Sequence, residues 1–121
     1  MADYLLLIVE PEWDFEAATD EDWAREAAAH NAFADAVGAA GGEIVNSNAL
    51  AGNDHAVRIR PGAGGADPIV TEGPFTEATE LVSGYYIITI DSDAEARRLA
   101  ALCPTGGYIE LHPIVDLSAV M

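Results

Sequence analysis

The sequence predicts a single α+β domain in which a largely antiparallel sheet carries two helices on one face. Three observations lead to this prediction. The 121 residues are the length of one domain. Short apolar runs bounded by turn residues surround two segments with helical signals. No internal repeat and no long linker divides the chain, so one continuous core is expected.

The first two elements are a buried strand and an amphipathic helix. Residues 4–9 are a continuous apolar run that Pro11 closes, which is typical of a strand covered on both faces. Thr19 or Asp20 can cap the helix that follows, and the glycine pair beginning at position 41 is expected to end it. One face of this helix repeats at three- and four-residue steps and consists of Trp23, Ala27, His30, Ala34 and Val37.

The remaining elements complete the order β-α-β-β-(β)-β-α-β. Strands are predicted over residues 43–50, 55–60, 68–71, 85–90 and 108–115, and a helix over 94–102. Residues 52–54 form a turn after which the strand 55–60 returns, and Gly84 opens the strand that follows it. Ser92 and Glu95 have the spacing of a capping box, and Pro113 places the last strand at an edge or near its end.

This order suits a ferredoxin-like arrangement with both helices on one side of the sheet. The opposite face of the sheet then keeps apolar residues that no helix is left to cover. Pairing of two copies face to face is the natural way to bury them, so a homodimer is predicted.

Charge and cysteine content exclude several classes of function. The chain has 21 acidic residues and 5 basic ones, all arginine, which gives a net charge of −16. Such a field repels nucleic-acid phosphates and anionic membranes. The excess of acidic residues is consistent with high solubility, with adaptation to high salt or with the binding of a basic partner. The single cysteine, Cys103, excludes an internal disulfide. The start of the chain lacks a positively charged leader, so a cytoplasmic location is expected.

Two stretches resemble a known family. Thr-Glu-Gly-Pro-Phe-Thr-Glu-Ala-Thr-Glu at residues 71–80, followed by Ser-Gly-Tyr-Tyr-Ile-Ile at 83–88, resembles the signature of YCII-related proteins of the DGPF group. The opening apolar run, the glycine pair and residues 107–114 agree with the same family in the same order. The family motif normally begins with Asp, and this chain has Glu72 at that position.

The resemblance implies a ferredoxin-like domain that pairs into a dimeric α+β barrel, similar to small enzymes such as muconolactone isomerases. It also implies a histidine and an acid in a cleft. As an alternative from another class, it implies a regulatory protein linked to an extracytoplasmic-function sigma factor.

His30 and Glu72 are the candidate catalytic pair. His30 lies on the apolar face of the first helix, where a histidine beside a carboxylate can act as a general base. Glu72 would orient His30 or accept a substrate proton. A core histidine bonded to a backbone carbonyl and a purely structural Gly-Pro turn remain open as the other interpretations.

The candidate ligand-binding residues are Gly73, Pro74, Phe75, Tyr85 and Arg58. The Gly-Pro turn would aim Phe75 into a pocket wall. Tyr85 and its neighbour Tyr86 point to opposite sides of a strand, so one is core or interface and the other can offer a hydroxyl. Arg58 can bind a substrate carboxylate or pair with one of the many acids.

Nothing in the spacing of the three histidines suggests a metal site. The sequence therefore predicts a dimeric domain that binds a small carboxylated or carbonyl-bearing compound, with acid–base catalysis by His30 together with Glu72 and no cofactor. A non-catalytic interaction protein is the alternative.

Overall fold

A computed structural model describes residues 1–73 and 80–121 and shows an α+β domain. The strands are Ala2–Glu10 (β1), Glu43–Ala49 (β2), Val57–Arg60 (β3), Ile69–Glu72 (β4), Leu81–Ile90 (β5) and Tyr108–Pro113 (β6). The helices are Asp20–Ala39 (α1) and Asp93–Ala100 (α2). Four strands form an antiparallel sheet in the order β2-β5-β1-β6, so the ferredoxin-like prediction is confirmed.

The core lies between this sheet and both helices. On the central strands, alternate side chains point to the helices, and Leu6, Ile88 and Ile90 have no exposed surface. Phe33 and Val37 of α1 and Ala96 and Leu99 of α2 join them in one apolar cluster. No helix among residues 1–73 and 80–121 covers the opposite sheet face, whose alternate residues on β1 and β5 are half-buried.

Capping residues fix where α1 begins and ends. The Thr19 hydroxyl accepts a hydrogen bond from the Asp22 backbone N–H (3.1 Å), and the Asp22 carboxylate accepts one from the Thr19 N–H (2.9 Å). This reciprocal pair satisfies two backbone donors that the first helical turn leaves free. At the other end Gly41 has φ 81°, a left-handed conformation that favours glycine.

The cap of α2 differs from the prediction. Ser92 accepts from the Glu95 backbone N–H as expected (3.2 Å). The Glu95 carboxylate does not complete the box, because it accepts from Arg98 instead (2.9 Å). The apolar face of α1 also differs, since Ala34 is exposed and the buried position is Phe33.

The strand after β2 does not return along β2, and the prediction on this point was wrong. β3 pairs with β4 in a separate two-stranded hairpin, and β5 takes the place beside β2. β5 begins at Leu81, so Gly84 lies inside the strand rather than opening it. A side chain at Gly84 would lie 2.8 Å from the Asn48 carbonyl, so glycine permits the close approach of β2.

β6 is an edge strand that stops at Pro113, as the proline predicted. Among residues 1–73 and 80–121, no helix has the length and apolar content needed to cross a membrane.

Candidate functional site

A cavity of about 540 Å³ lies at the end of the sheet where β1 and β2 stop and where β5 and α1 begin. These ends meet because α1 carries the chain back from the end of β1, and because β5 runs antiparallel to β1 and β2. The volume is within the range of roughly 300–1,000 Å³ that small-molecule sites occupy.

Three aromatic side chains form one wall of the cavity. Trp13 and Phe15 come from the loop of residues 11–19, and Trp23 comes from the first turn of α1. The ring centroids of Trp13 and Trp23 are 4.5 Å apart at an angle of 74°, and those of Trp13 and Phe15 are 5.1 Å apart. Edge-to-face contacts of this kind are favourable, so the cluster holds the loop against α1.

His30 lies in the same wall, and both of its ring nitrogens have partners. Nδ1 is 2.6 Å from the Tyr86 hydroxyl oxygen, and Nε2 is 3.2 Å from Oε2 of Glu26. A carboxylate only accepts hydrogen bonds, so a neutral imidazole carries its proton on Nε2, and Tyr86 donates to Nδ1. In the protonated imidazole both nitrogens donate, and the Tyr86 oxygen becomes an acceptor. Tyr86 can therefore hold His30 in either charge state.

Tyr86 is anchored from the core side. Its ring packs against Phe33 with the centroids 4.7 Å apart, and only 9% of the residue is exposed. Burial raises the pKa of Tyr86, and the Cys103 and Glu26 side chains add to the rise. The hydroxyl consequently keeps its proton at neutral pH and can act as the donor to His30.

Two further carboxylates line the cavity and are fixed by neutral donors. Glu10 accepts from the Ser83 hydroxyl (2.7 Å) and from the Gly106 backbone N–H (2.6 Å). Glu12 accepts from the Asn53 backbone N–H (2.7 Å). These bonds set the direction of both side chains without neutralising their charge.

The sequence pattern of the family described as "YCII-related domain" matches residues 4–118. The chain belongs to the YCII-related domain family. Among curated proteins, none matches it.

In this YCII-related domain, two residues of the family motif and Arg58 lie on the β3–β4 hairpin or at its end. Glu72 pairs with Val57, and Arg58 pairs with Thr71. Gly73 follows β4, where its N–H donates to the Ala56 carbonyl and where any side chain would collide with the Asn53 carbonyl. None of these three residues lines the cavity. The carboxylate that contacts His30 is Glu26, and a role for Glu72 stays a prediction.

The other ligand-binding candidates of the YCII-related domain fall in two places. Tyr85 borders the cavity, and its hydroxyl accepts from the Asn48 side-chain amide (2.9 Å). Pro74 and Phe75 lie outside the residues that the structure describes. Their part in a pocket wall also stays a prediction.

Sequence reasoning missed Glu26 and the loop aromatics, although a signal existed for each. Glu26 precedes His30 by four residues, the spacing that places two side chains on the same side of a helix. Trp13 and Phe15 are large aromatics in an otherwise polar loop, which is unusual unless they cover something.

A metal centre finds no support in the part of this YCII-related domain that the structure describes. There, no three His, Cys, Asp or Glu side chains converge in a way that could hold an ion. Glu26 and His30 supply two such groups, one fewer than the three protein ligands usual in catalytic zinc sites.

Proposed function

We propose that this protein binds a small molecule in the cavity beside His30 and moves a proton to or from it. One observation carries the proposal: His30 lies in a cavity wall, held between a carboxylate and a hydroxyl that supports both of its charge states. A histidine with these partners has the groups that general acid–base catalysis uses.

His30 Nε2 is the atom that would exchange the proton. Nδ1 is engaged on the core side by the nearly buried Tyr86. On the other side Glu26 is about half exposed, and its contact with Nε2 is the longer of the two. A bound ligand can displace Glu26 from Nε2 at little cost, because exposed ion pairs contribute only about 0–1 kcal/mol. Glu26 and Tyr86 would then act as positioning residues.

Binding can be tested with a matched pair of variants on α1. Ala27 lines the cavity, whereas Ala34 lies on the same helix outside it, and both are exposed. Ala27→Trp should obstruct the cavity and abolish binding of fragments that ligand-observed NMR detects with the wild type. Ala34→Trp should retain this binding. Equal binding to both variants would show that the fragments bind elsewhere.

Proton transfer needs a separate test with the fragments that bind. In deuterated buffer, the wild type should promote exchange of an acidic C–H proton of at least one bound fragment, and NMR follows the loss of its signal. His30→Gln should bind the same fragment without promoting exchange. If the wild type promotes no exchange in any bound fragment, the protein binds without catalysis, and the catalytic half of the proposal fails.

A homodimer is part of this proposal, and the β3–β4 hairpin supports it. Val57, Ile59 and Val70 lie on one side of the hairpin and are at least half exposed, with Ile59 at 61%. Two strands alone are rarely stable, so this apolar side calls for a covering surface. A second copy of the chain would cover it together with the open face of the sheet.

Sedimentation equilibrium tests the dimer. The wild type should sediment as a dimer, and Ile59→Glu should shift it to the monomer. Val115→Glu introduces the same charge at an exposed apolar position outside the hairpin and should leave the dimer intact. A monomeric wild type would refute the dimer. The sigma-factor link implied by the resemblance stays a prediction, which co-purification with that partner would support.

A further inference from the structure

The cavity is lined by negative charge that no arginine balances. Glu10, Glu12 and Glu26 border it, and no arginine or lysine is among the residues that line it in the described part of the chain. The six residues at 74–79 contain no basic side chain either. Among the residues that line the cavity in the described part of the chain, only His30 can carry a positive charge, and its protonated ring can no longer act as a base.

The arginines of the chain are placed elsewhere. Arg25, Arg97 and Arg98 pair with acids of their own helices. Arg58 and Arg60 lie on β3, outside the cavity. A carboxylated ligand would therefore enter a site with three like charges and no guanidinium to receive it, which is unfavourable because such anions are normally bound by arginine.

The aromatic wall favours the opposite charge. Trp13, Phe15 and Trp23 border the same cavity, and Trp23 and Phe15 remain 46% and 48% exposed. Aromatic rings carry negative charge on their faces and attract cations, ammonium groups in particular. A cluster of aromatic rings beside carboxylates is the combination by which proteins recognise substituted ammonium ions.

We infer that the ligand of this cavity is a small organic cation, an amine or a quaternary ammonium compound. This inference rests on the proposed small-molecule site. The aromatic rings contact the ligand's alkylated nitrogen, and Glu12 and Glu26 supply the counter-charge. This ligand class replaces the carboxylated compound, one of the two that the sequence suggested, because neither Arg58 nor Arg60 lines the cavity.

Fluorescence offers a direct test, since both tryptophans of the chain border the cavity. The probe is choline, compared with a neutral analogue in which tert-butyl replaces trimethylammonium, and with the tert-butylacetate anion. Choline should bind at least about tenfold more tightly than the neutral analogue, and the anion should not bind. Added salt should weaken choline binding and leave the neutral analogue unaffected.

Matched variants separate local charge from net charge. Glu12→Gln and Glu26→Gln should each weaken choline binding several-fold without changing the affinity for the neutral analogue. Glu43→Gln alters the net charge equally, but it lies at the start of β2, away from the cavity, and should have no effect. An equal loss in all three variants would assign the effect to net charge and overturn the inference.

The outcomes also separate this inference from the proposed function. If the neutral analogue or the anion binds as tightly as choline, the charge preference is refuted and the small-molecule site stands. The same conclusion follows if choline fails to bind while neutral or acidic fragments bind to Ala34→Trp and not to Ala27→Trp. If no compound of any charge binds, both proposals fail.

Discussion

The two halves of α1 have the same amphipathic spacing and meet different surroundings. In the second half, Phe33 and Val37 are 1% exposed and pack against the sheet. In the first half, residues 20–30, the equivalent side of the helix carries Trp23, Glu26 and His30, which border an open cavity. Spacing therefore determines which side of a helix turns towards the sheet, and the neighbouring elements determine whether the space between them is filled.

The difference has a cause in the connections of the chain. In the second half of α1, Phe33 and Val37 join the buried side chains of β1 and β5 in one apolar cluster. The first half lies over the end of the sheet, where β1 and β2 stop and where the loop of residues 11–19 borders the cavity. Stability is thus concentrated at one end of α1, and the candidate chemistry at the other.

Truncation of one aromatic residue in each half should show the largest contrast. Phe33→Ala leaves a cavity in a filled core and should lower the free energy of unfolding by about 3–5 kcal/mol. Trp23→Ala removes a half-exposed ring and should cost less than half as much. Chemical denaturation of both variants measures the two values. Equal losses would mean that the aromatic wall is as important to stability as the core.

Alkaline pH should lower the stability of the core through Cys103, which lies in the same buried cluster as Phe33 and Val37. Burial raises the pKa of this thiol to about 12, with the negative charge of Glu10 as a smaller cause. Between pH 9 and pH 12 the unfolded chain releases the thiol proton while the folded protein keeps it. The free energy of unfolding should therefore fall with rising pH, by up to about 1.4 kcal/mol per pH unit from this group.

Cys103→Ala is the control for that measurement. Its unfolding free energy should fall less steeply over the same pH range, because the thiol is gone and Tyr86, whose pKa is also raised by burial, remains. Parallel profiles for the variant and the wild type would contradict the raised pKa of Cys103.

Tyr85 and Tyr86 carry hydroxyls on opposite faces of β5, and removing each in turn shows which hydroxyl affects His30. Tyr86→Phe deletes the donor to His30 Nδ1 and should cost about 1 kcal/mol of stability. It should also change the imidazole nitrogen chemical shifts of His30, since the ring loses the partner that fixes its tautomer. Tyr85→Phe deletes the same atom beside Asn46 and Asn48 and should leave those shifts unchanged. A similar change in both variants would exclude a specific role for Tyr86.

A small and local effect is expected at the first turn of α1. Thr19→Ala removes the hydroxyl that accepts from the Asp22 N–H and should cost about 1 kcal/mol. Because this cap belongs to the half of α1 that borders the cavity, amide exchange should quicken over its first turn and remain slow around Phe33. Uniform acceleration along α1 would show that the two halves unfold together.

The fold was largely predictable because it depends on local signals that act one element at a time. The apolar run in β1, a cap at Thr19 or Asp20, the glycine pair after α1 and Pro113 in β6 were each placed within a few residues of the observed boundaries. The hairpin was predicted less well. Nothing local in β3 distinguishes pairing with β2 from pairing with β4, since both are short strands nearby in sequence.

The candidate site was predictable only in part. His30 was found because a histidine on an apolar helix face is an unusual choice of residue, and the structure places it in the cavity wall. Its partners were not found. The sequence associated His30 with Glu72, 42 positions further along the chain, on the strength of a motif, whereas the contacting acid is Glu26 on the same helix.

By itself, the sequence determined the element order, the acidic charge, the family and the two residues that bound the first helix, since each depends on composition or on neighbours a few positions apart. Only the tertiary structure decided that Tyr86, 56 positions from His30, is its second partner. It also decided that three carboxylates share one cavity with the rings of Trp13, Phe15 and Trp23. Those contacts arise because β1 and β2 stop and β5 and α1 begin at the same end of the sheet, and no local pattern encodes that meeting.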